Sequence, residues 1–164
     1  MKTLGLSFLF CAGALVCAAQ STSPQPKIEN AADMKFAPFP NVPTCFAGAV
    51  EHGDPGTGPS TFFIKGTKGC EVPMHFHSAT EQVIMVNGTA RIQMKGDQLR
   101  TLKAGAFASA PARHPHNFTC ASACEFYVVS DGPFDIHYIN DAGTEITFEQ
   151  AVKPAGKHVG TSQY

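Results

Sequence analysis

The stretch that decides the fold is residues 69–88, which read GCEVPMHFHSATEQVIMVNG. Near its end, Asn87-Gly88 joins the apolar run EQVIMV to TARIQMK, and Asn-Gly is the preferred pair for a two-residue hairpin turn. After the turn, every second residue of TARIQM is apolar or small, as expected for a strand with one buried face. The stretch therefore predicts an antiparallel β-hairpin.

The rest of the chain repeats this pattern of short β-prone runs separated by Gly, Pro, Asn and Asp. The runs are Cys45–Val50, Ser60–Lys65, Glu71–His77, Glu81–Val86, Thr89–Lys95, Ala106–Ala110, Asn117–Cys120, Glu125–Ser130 and Phe134–Asn140. Many short, evenly spaced strands predict an all-β sandwich or barrel. Only Phe148–Val152 indicates a helix.

Length and composition limit the function classes. The 164 residues suffice for one domain with a packed core, and 43% hydrophobic residues exclude wholesale disorder. The net charge of -1 comes with no basic patch, which argues against nucleic acid as a partner. We expect a small molecule instead.

The polar residues that could bind a ligand or act in catalysis lie in two segments. His75 and His77 stand two apart in a predicted strand, so both imidazoles lie on one face. Glu81 begins the next run after a turn and can face them. A third imidazole must come from PARHPHNF, where His114 and His116 are both available.

Three imidazoles and one carboxylate suit one divalent transition metal, namely Mn, Fe, Co, Ni, Cu or Zn. Mg and Ca prefer shells made only of oxygen. Four protein ligands on an octahedral ion leave two positions open for water, dioxygen or an oxygen-bearing substrate.

The two segments together resemble the motifs of the cupin superfamily. The spacing from Gly69 to Gly88 is glycine, five residues, H-x-H, three residues, Glu, six residues, glycine, which is similar to the first cupin motif. GAFASAPARHPHNF, from Gly105, resembles the second motif, with Pro111 followed five residues later by His116.

The resemblance implies an all-β, single-domain, RmlC-like cupin barrel, that is, a double-stranded β-helix or jelly roll. It assigns the metal ligands as His75, His77, Glu81 and His116. It implies a metal-dependent oxygenase, isomerase or lyase acting on a small molecule, or a non-catalytic module that binds or senses a metal or small ligand. Cupins often pair, which allows a homodimer.

Several residues near these ligands keep more than one interpretation. Glu81 is mainly a ligand and is also the candidate catalytic base. His114 is either a donor behind the ligands or a solvent-facing loop residue, and Phe118 and Phe63 are candidate pocket walls. Arg113 replaces the glycine of the second motif, so this turn is expected to differ, because Arg lacks glycine's freedom in φ.

The N-terminus predicts export. Lys2, the apolar run Leu4–Val16 and Ala18-Ala19 fit a cleaved signal peptide over residues 1–19, which leaves no membrane segment in the mature chain and places it in the periplasm or outside the cell. After the signal peptide we expect a Pro-rich arm over residues 20–43, the barrel over 44–140 and a tail over 141–164.

The cysteines bear on the same compartment. Removal of residues 1–19 leaves Cys45, Cys70, Cys120 and Cys124. An even number of cysteines in an exported chain favours disulfides, with three possible connectivities. We favour Cys120–Cys124 across a short loop, which leaves Cys45 for Cys70.

Overall fold

The computed structural model describes residues 26–153. The predicted signal peptide, residues 20–25 of the arm and residues 154–164 of the tail lie outside the described residues. The elements are β1 Phe46–Gly53, β2 Ser60–Gly66, β3 Glu71–Phe76, β4 Glu81–Asn87, β5 Thr89–Met94, β6 Arg100–Lys103, β7 Phe107–Ala110, β8 His116–Cys120, β9 Cys124–Ser130, β10 His137–Ile139, β11 Glu145–Ile146 and α1 Phe148–Val152.

The strands form two antiparallel sheets, in the jelly-roll arrangement expected. The order in one sheet is β1-β2-β9-β4-β7, and in the other β11-β10-β3-β8-β5-β6. The predicted hairpin at Asn87-Gly88 joins β4 of the first sheet to β5 of the second. It therefore links the two sheets and does not pair its own strands.

The core lies between the sheets and is built from inward-facing residues of both. Its buried members are Phe46, Phe62, Ile64, Cys70, Val83, Met85, Ala90, Ile92, Leu102, Phe118, Cys120, Cys124, Phe126 and Val128. Phenylalanine supplies the aromatic packing, since the chain has no Trp. Phe118 and Phe126, for example, have ring centroids 4.7 Å apart.

The arm is bound to the first sheet. Ala37 forms a β-bridge with Gly48 of β1, and the ring of Phe39 occupies the space where a side chain at position 48 would lie. The buried Tyr138 hydroxyl donates a hydrogen bond to the Asn41 carbonyl at 2.7 Å. These contacts bring the arm over one end of the core.

The segment assigned as a tail contributes regular structure. β11 pairs with β10, and α1 begins with a capping box in which Thr147 and Gln150 bond each other's backbone. Within residues 26–153, no helix is long and apolar enough to cross a membrane.

The described cysteines lie in two pairs within bonding distance. Cys45 pairs with Cys70 and Cys120 with Cys124, and in each pair the Cα atoms are 5.7 Å apart. The first pair connects the start of β1 to the segment just before β3.

The turn at Arg113 has a left-handed backbone at the position of the glycine in the second motif. We expected a different turn without glycine, but Arg113 adopts a φ of 61°, in the left-handed region that favours glycine. Its backbone N–H donates to the His77 carbonyl at 2.7 Å, and its guanidinium lies 5.0 Å from the centre of the Phe76 ring. These contacts hold Arg113 in place in the turn.

Candidate metal centre

The two sheets bring the four expected ligands together. His75 in β3 lies directly opposite His116 in β8, so the second sheet supplies two imidazoles. His77 follows the last residue of β3, and Glu81 is the first residue of β4 in the other sheet. One ligand atom from each residue lies within 4.8 Å of all the others.

The four side chains are shielded from solvent. The exposed fractions are 3% for His75, 4% for His77 and 1% for His116, and 12% for the Glu81 side chain. Within residues 26–153, this is the one cluster of three or more His, Cys, Asp or Glu side chains that could hold a metal ion.

Each histidine ring is anchored by a backbone carbonyl on its Nδ1 side. His75 Nδ1 lies 2.7 Å from the Pro73 carbonyl, His116 Nδ1 lies 3.1 Å from the His114 carbonyl, and His77 Nδ1 contacts the Asp135 carbonyl. A carbonyl only accepts, so we assign the proton of each neutral ring to Nδ1. The lone pair of each ring is then on Nε2.

The Nε2 atoms point at one another and at Glu81. The Nε2 atoms of His75 and His77 are 3.1 Å apart, and His116 Nε2 is 2.9 Å from the Glu81 Oε2 atom. Neutral rings would set lone pairs against each other and against a carboxylate. A cation among these atoms, either a proton or a metal ion, would remove this repulsion, so the residues fit a divalent metal.

The protonation of the metal-free site agrees with this requirement. Burial, together with the neighbouring imidazoles, holds the pKa of His75 well below its ordinary value. Burial would also lower the pKa of His77, but the Glu81 carboxylate outweighs it and raises that pKa. Burial likewise opposes ionisation of Glu81, yet His77 and His116 hold its pKa well below the usual range. Without metal, the His77 ring and the Glu81 carboxylate therefore each stabilise the charged form of the other.

The ligands form one end of a small apolar cavity of about 50 Å³. Its walls include Val42 and Phe39 from the arm, Phe118 from β8, and Phe134 and Ile136 from the segment before β10. A wider groove of about 420 Å³ lies on the other side of Phe39, Phe134 and Ile136, which line both spaces. These three side chains lie between the cavity of the metal centre and the outer groove.

The remaining sequence candidates fall in different places. Phe118 lines the cavity, whereas Phe63 does not. Strand alternation turns Phe62 inward and Phe63 to the outer face of the sheet, where it packs against Phe36 and Tyr127. His114 contributes its backbone carbonyl, and its ring is not in the ligand group.

Sequence reasoning missed Asp135 and the cavity walls from the arm. Asp135 is 58 residues from His77 along the chain, and no local pattern connects the two. Phe39 and Phe134 belong to segments without regular structure, where hydrophobic periodicity gives no signal.

A family profile for the cupin domain, Cupin_2, matches residues 63–130, which contain all four ligands. An RmlC-like cupin protein from Ralstonia eutropha superposes with a TM-score of 0.59 at 20% identity, covering 75% of this chain and 78% of that one. Residues 63–130 of this chain therefore form a cupin domain. No curated protein sequence matches this cupin significantly.

Two other similar structures carry the names of enzymes. A candidate acetylacetone dioxygenase from Methylibium petroleiphilum matches this cupin with a TM-score of 0.58 at 18% identity, covering 77% of this chain and 89% of that one. The DMSP lyase DddQ from Ruegeria pomeroyi matches with a TM-score of 0.53 at 21% identity, covering 62% of this chain. This cupin spans only 57% of that lyase. At such identities the likeness shows the fold alone.

Proposed function

We propose that this cupin is a metal-dependent enzyme acting on a small molecule, of the oxygenase, isomerase or lyase type. The ion would be one divalent transition metal held by His75, His77, Glu81 and His116. The observation that carries the proposal is the convergence of three anchored Nε2 atoms and one carboxylate at the end of an apolar cavity. The cluster provides nitrogen and oxygen donors with a net charge of -1 when the rings are neutral.

When bound, such an ion polarises a coordinated oxygen and offers open positions for small ligands. The chain's own residues would hold it and exclude water from it. Glu81 lies 2.9 Å from His116 Nε2 and 3.5 Å from His77 Nε2. We therefore assign Glu81 as a ligand, and a role as base is secondary.

The cavity limits the substrate. A space of about 50 Å³ holds only a few waters, since a cavity needs about 10–15 Å³ of such space to hold one water. A larger substrate must displace Phe39 or Phe134 towards the outer groove. The names of the similar dioxygenase and lyase support small substrates.

A non-catalytic role is the second candidate, and the small cavity favours it. A protein that binds or senses a metal or a very small ligand needs no room for a substrate body. The same four side chains would then serve only to bind.

The test begins with elemental analysis of protein purified from its own compartment, where one transition-metal ion per chain is expected. Metal-loaded and metal-free protein are then incubated with acetylacetone or DMSP, and consumption of each is measured. Consumption only by the loaded protein supports an enzyme. Full metal content without consumption favours the binding role, and absence of any transition metal refutes both.

The proposal also covers the export of the protein and its oligomeric state. We propose that residues 1–19 are removed on export to the periplasm or the cell exterior, and the two cysteine pairs support an oxidising compartment. Native protein should then begin at Ala19 or Gln20 by N-terminal sequencing. We keep the barrel over 44–140 as the functional unit, and sedimentation will show whether it forms a homodimer.

A further inference from the structure

The segment before β10 holds the turn that carries two of the ligands. The turn from His77 to Glu81 joins β3 to β4. The Asp135 carboxylate accepts from the Ser78 backbone N–H at 2.7 Å, and the Asp131 carboxylate accepts from the Thr80 N–H at 2.8 Å. Two carboxylates therefore fasten alternate residues of this turn.

Asp135 differs from Asp131 in a second contact. Its backbone carbonyl accepts from the His77 ring at Nδ1, so one residue binds both the backbone after His77 and the ring itself. Its other carboxylate oxygen lies 3.3 Å from His137 Nε2, and the His137 ring stacks on Phe76 with centroids 4.8 Å apart. Asp135 is thus braced against the end of β3.

His77 needs such a contact more than the other ligands do. His75, His116 and Glu81 lie within strands paired on both sides. His77 lies beyond the end of β3. Arg113 holds its backbone carbonyl, and the Asp135 carbonyl contacts its ring at Nδ1.

We propose that Asp135 is a positioning residue of the metal site: its carboxylate fixes the turn so that its carbonyl holds His77 with Nε2 facing the other three ligands. This inference rests on the proposed metal-binding function. Partners behind metal ligands typically change metal affinity by about 10–100-fold when removed. Because the Asp135 side chain is 39% exposed, its replacement leaves the core intact.

The test compares Asp135→Ala with two matched variants. Asp135→Asn keeps an oxygen that can accept from Ser78, so it should behave like wild type. Asp131→Ala removes the equivalent bond to Thr80 without touching a ligand ring. Glu81, the residue after Thr80, stays paired with Ser130 and Ala110. The metal affinity of Asp131→Ala should therefore change little.

Two measurements decide the outcome. Co²⁺ affinity is measured by competition with a chelator, and Asp135→Ala should lose about 10–100-fold. The ¹⁵N shifts of the His77 ring in metal-free protein at alkaline pH report its tautomer independently of any metal. Wild type and Asp135→Asn should show a proton on Nδ1, and Asp135→Ala should show a mixture of tautomers.

The inference is overturned if Asp135→Ala matches Asp131→Ala in both measurements. It is also overturned if Asp135→Ala lowers the thermal stability of the metal-free protein while the His77 tautomer stays fixed, because the role would then be structural. If wild type fails to bind Co²⁺, the proposed metal function is refuted, while the ¹⁵N shifts still decide the role of Asp135.

Discussion

Replacing His77 by Ala tests the ligand set most directly, with His114→Ala as the matched control. The structure places His77 Nε2 3.1 Å from His75 Nε2 and 3.5 Å from the Glu81 carboxylate, so the substitution removes one of four converging donors. His114 lies in the same ligand-bearing segment as His116, but only its backbone carbonyl contributes. An alanine at position 114 keeps that carbonyl.

The expected loss of metal affinity follows from dividing the free energy of metal binding equally among the four ligands. Four-ligand structural zinc sites bind with about 10–16 kcal/mol, which is roughly 2.5–4 kcal/mol per ligand. A loss of this size weakens binding by about 10²–10³-fold. The apolar core between the sheets does not include His77, so the metal-free variant should remain folded.

The assay is a Zn²⁺ competition titration, with metal content of the purified protein as a second measurement. His77→Ala should lose affinity by the stated factor, and His114→Ala should match wild type. Loss of affinity in both variants would move the ligand in the second segment from His116 to His114. Full affinity in His77→Ala would refute the whole constellation.

Three further predictions concern protonation, cysteine pairing and backbone strain. Metal affinity should fall about tenfold for each unit of pH decrease below the raised pKa of His77, because one proton must leave that ring; a titration that is flat between pH 6 and 8 would contradict this. Non-reducing peptide maps should join Cys45 to Cys70, and a peptide joining either residue to the other cysteine pair would exclude the pairing. Arg113→Gly should be more stable to urea than Arg113→Ala by about 1 kcal/mol, since only glycine relieves the left-handed backbone; equal stability would show that no strain is present.

Much of the fold could be predicted because buried and exposed side chains alternate along each strand, which is a local signal in the sequence. The predicted runs lie within a few residues of the observed strands, except where alternation is absent. β6, Arg100–Lys103, was missed because Leu102 is its only buried residue. In the adjacent pair Phe62-Phe63, composition does not tell which ring faces inward, so the sequence offers Phe63 as a candidate pocket wall although its ring packs against Phe36 and Tyr127.

The candidate ligands could be predicted because they lie close together within each segment. His116 opens β8, and alternation then turns Phe118 and Cys120 to the same buried face. His114 precedes Pro115 in the turn and lies outside that alternation. Asp135 could not be found in this way, because its contact with His77 depends on β10 pairing beside β3.

The site therefore consists of metal-binding side chains and of backbone carbonyls that orient them, and the two groups come from different parts of the sequence. The donors come from two short segments, whereas the orientation of the rings comes from backbone carbonyls at Pro73, His114 and Asp135. Two of these carbonyls lie two residues before the ring that they hold, so they accompany the donor in the sequence. The third comes from a distant loop and holds His77, the one ligand histidine that lies outside a strand. A barrel that carried the same four donors without this loop would present His77 in both tautomers, and it would bind metal more weakly for that reason alone.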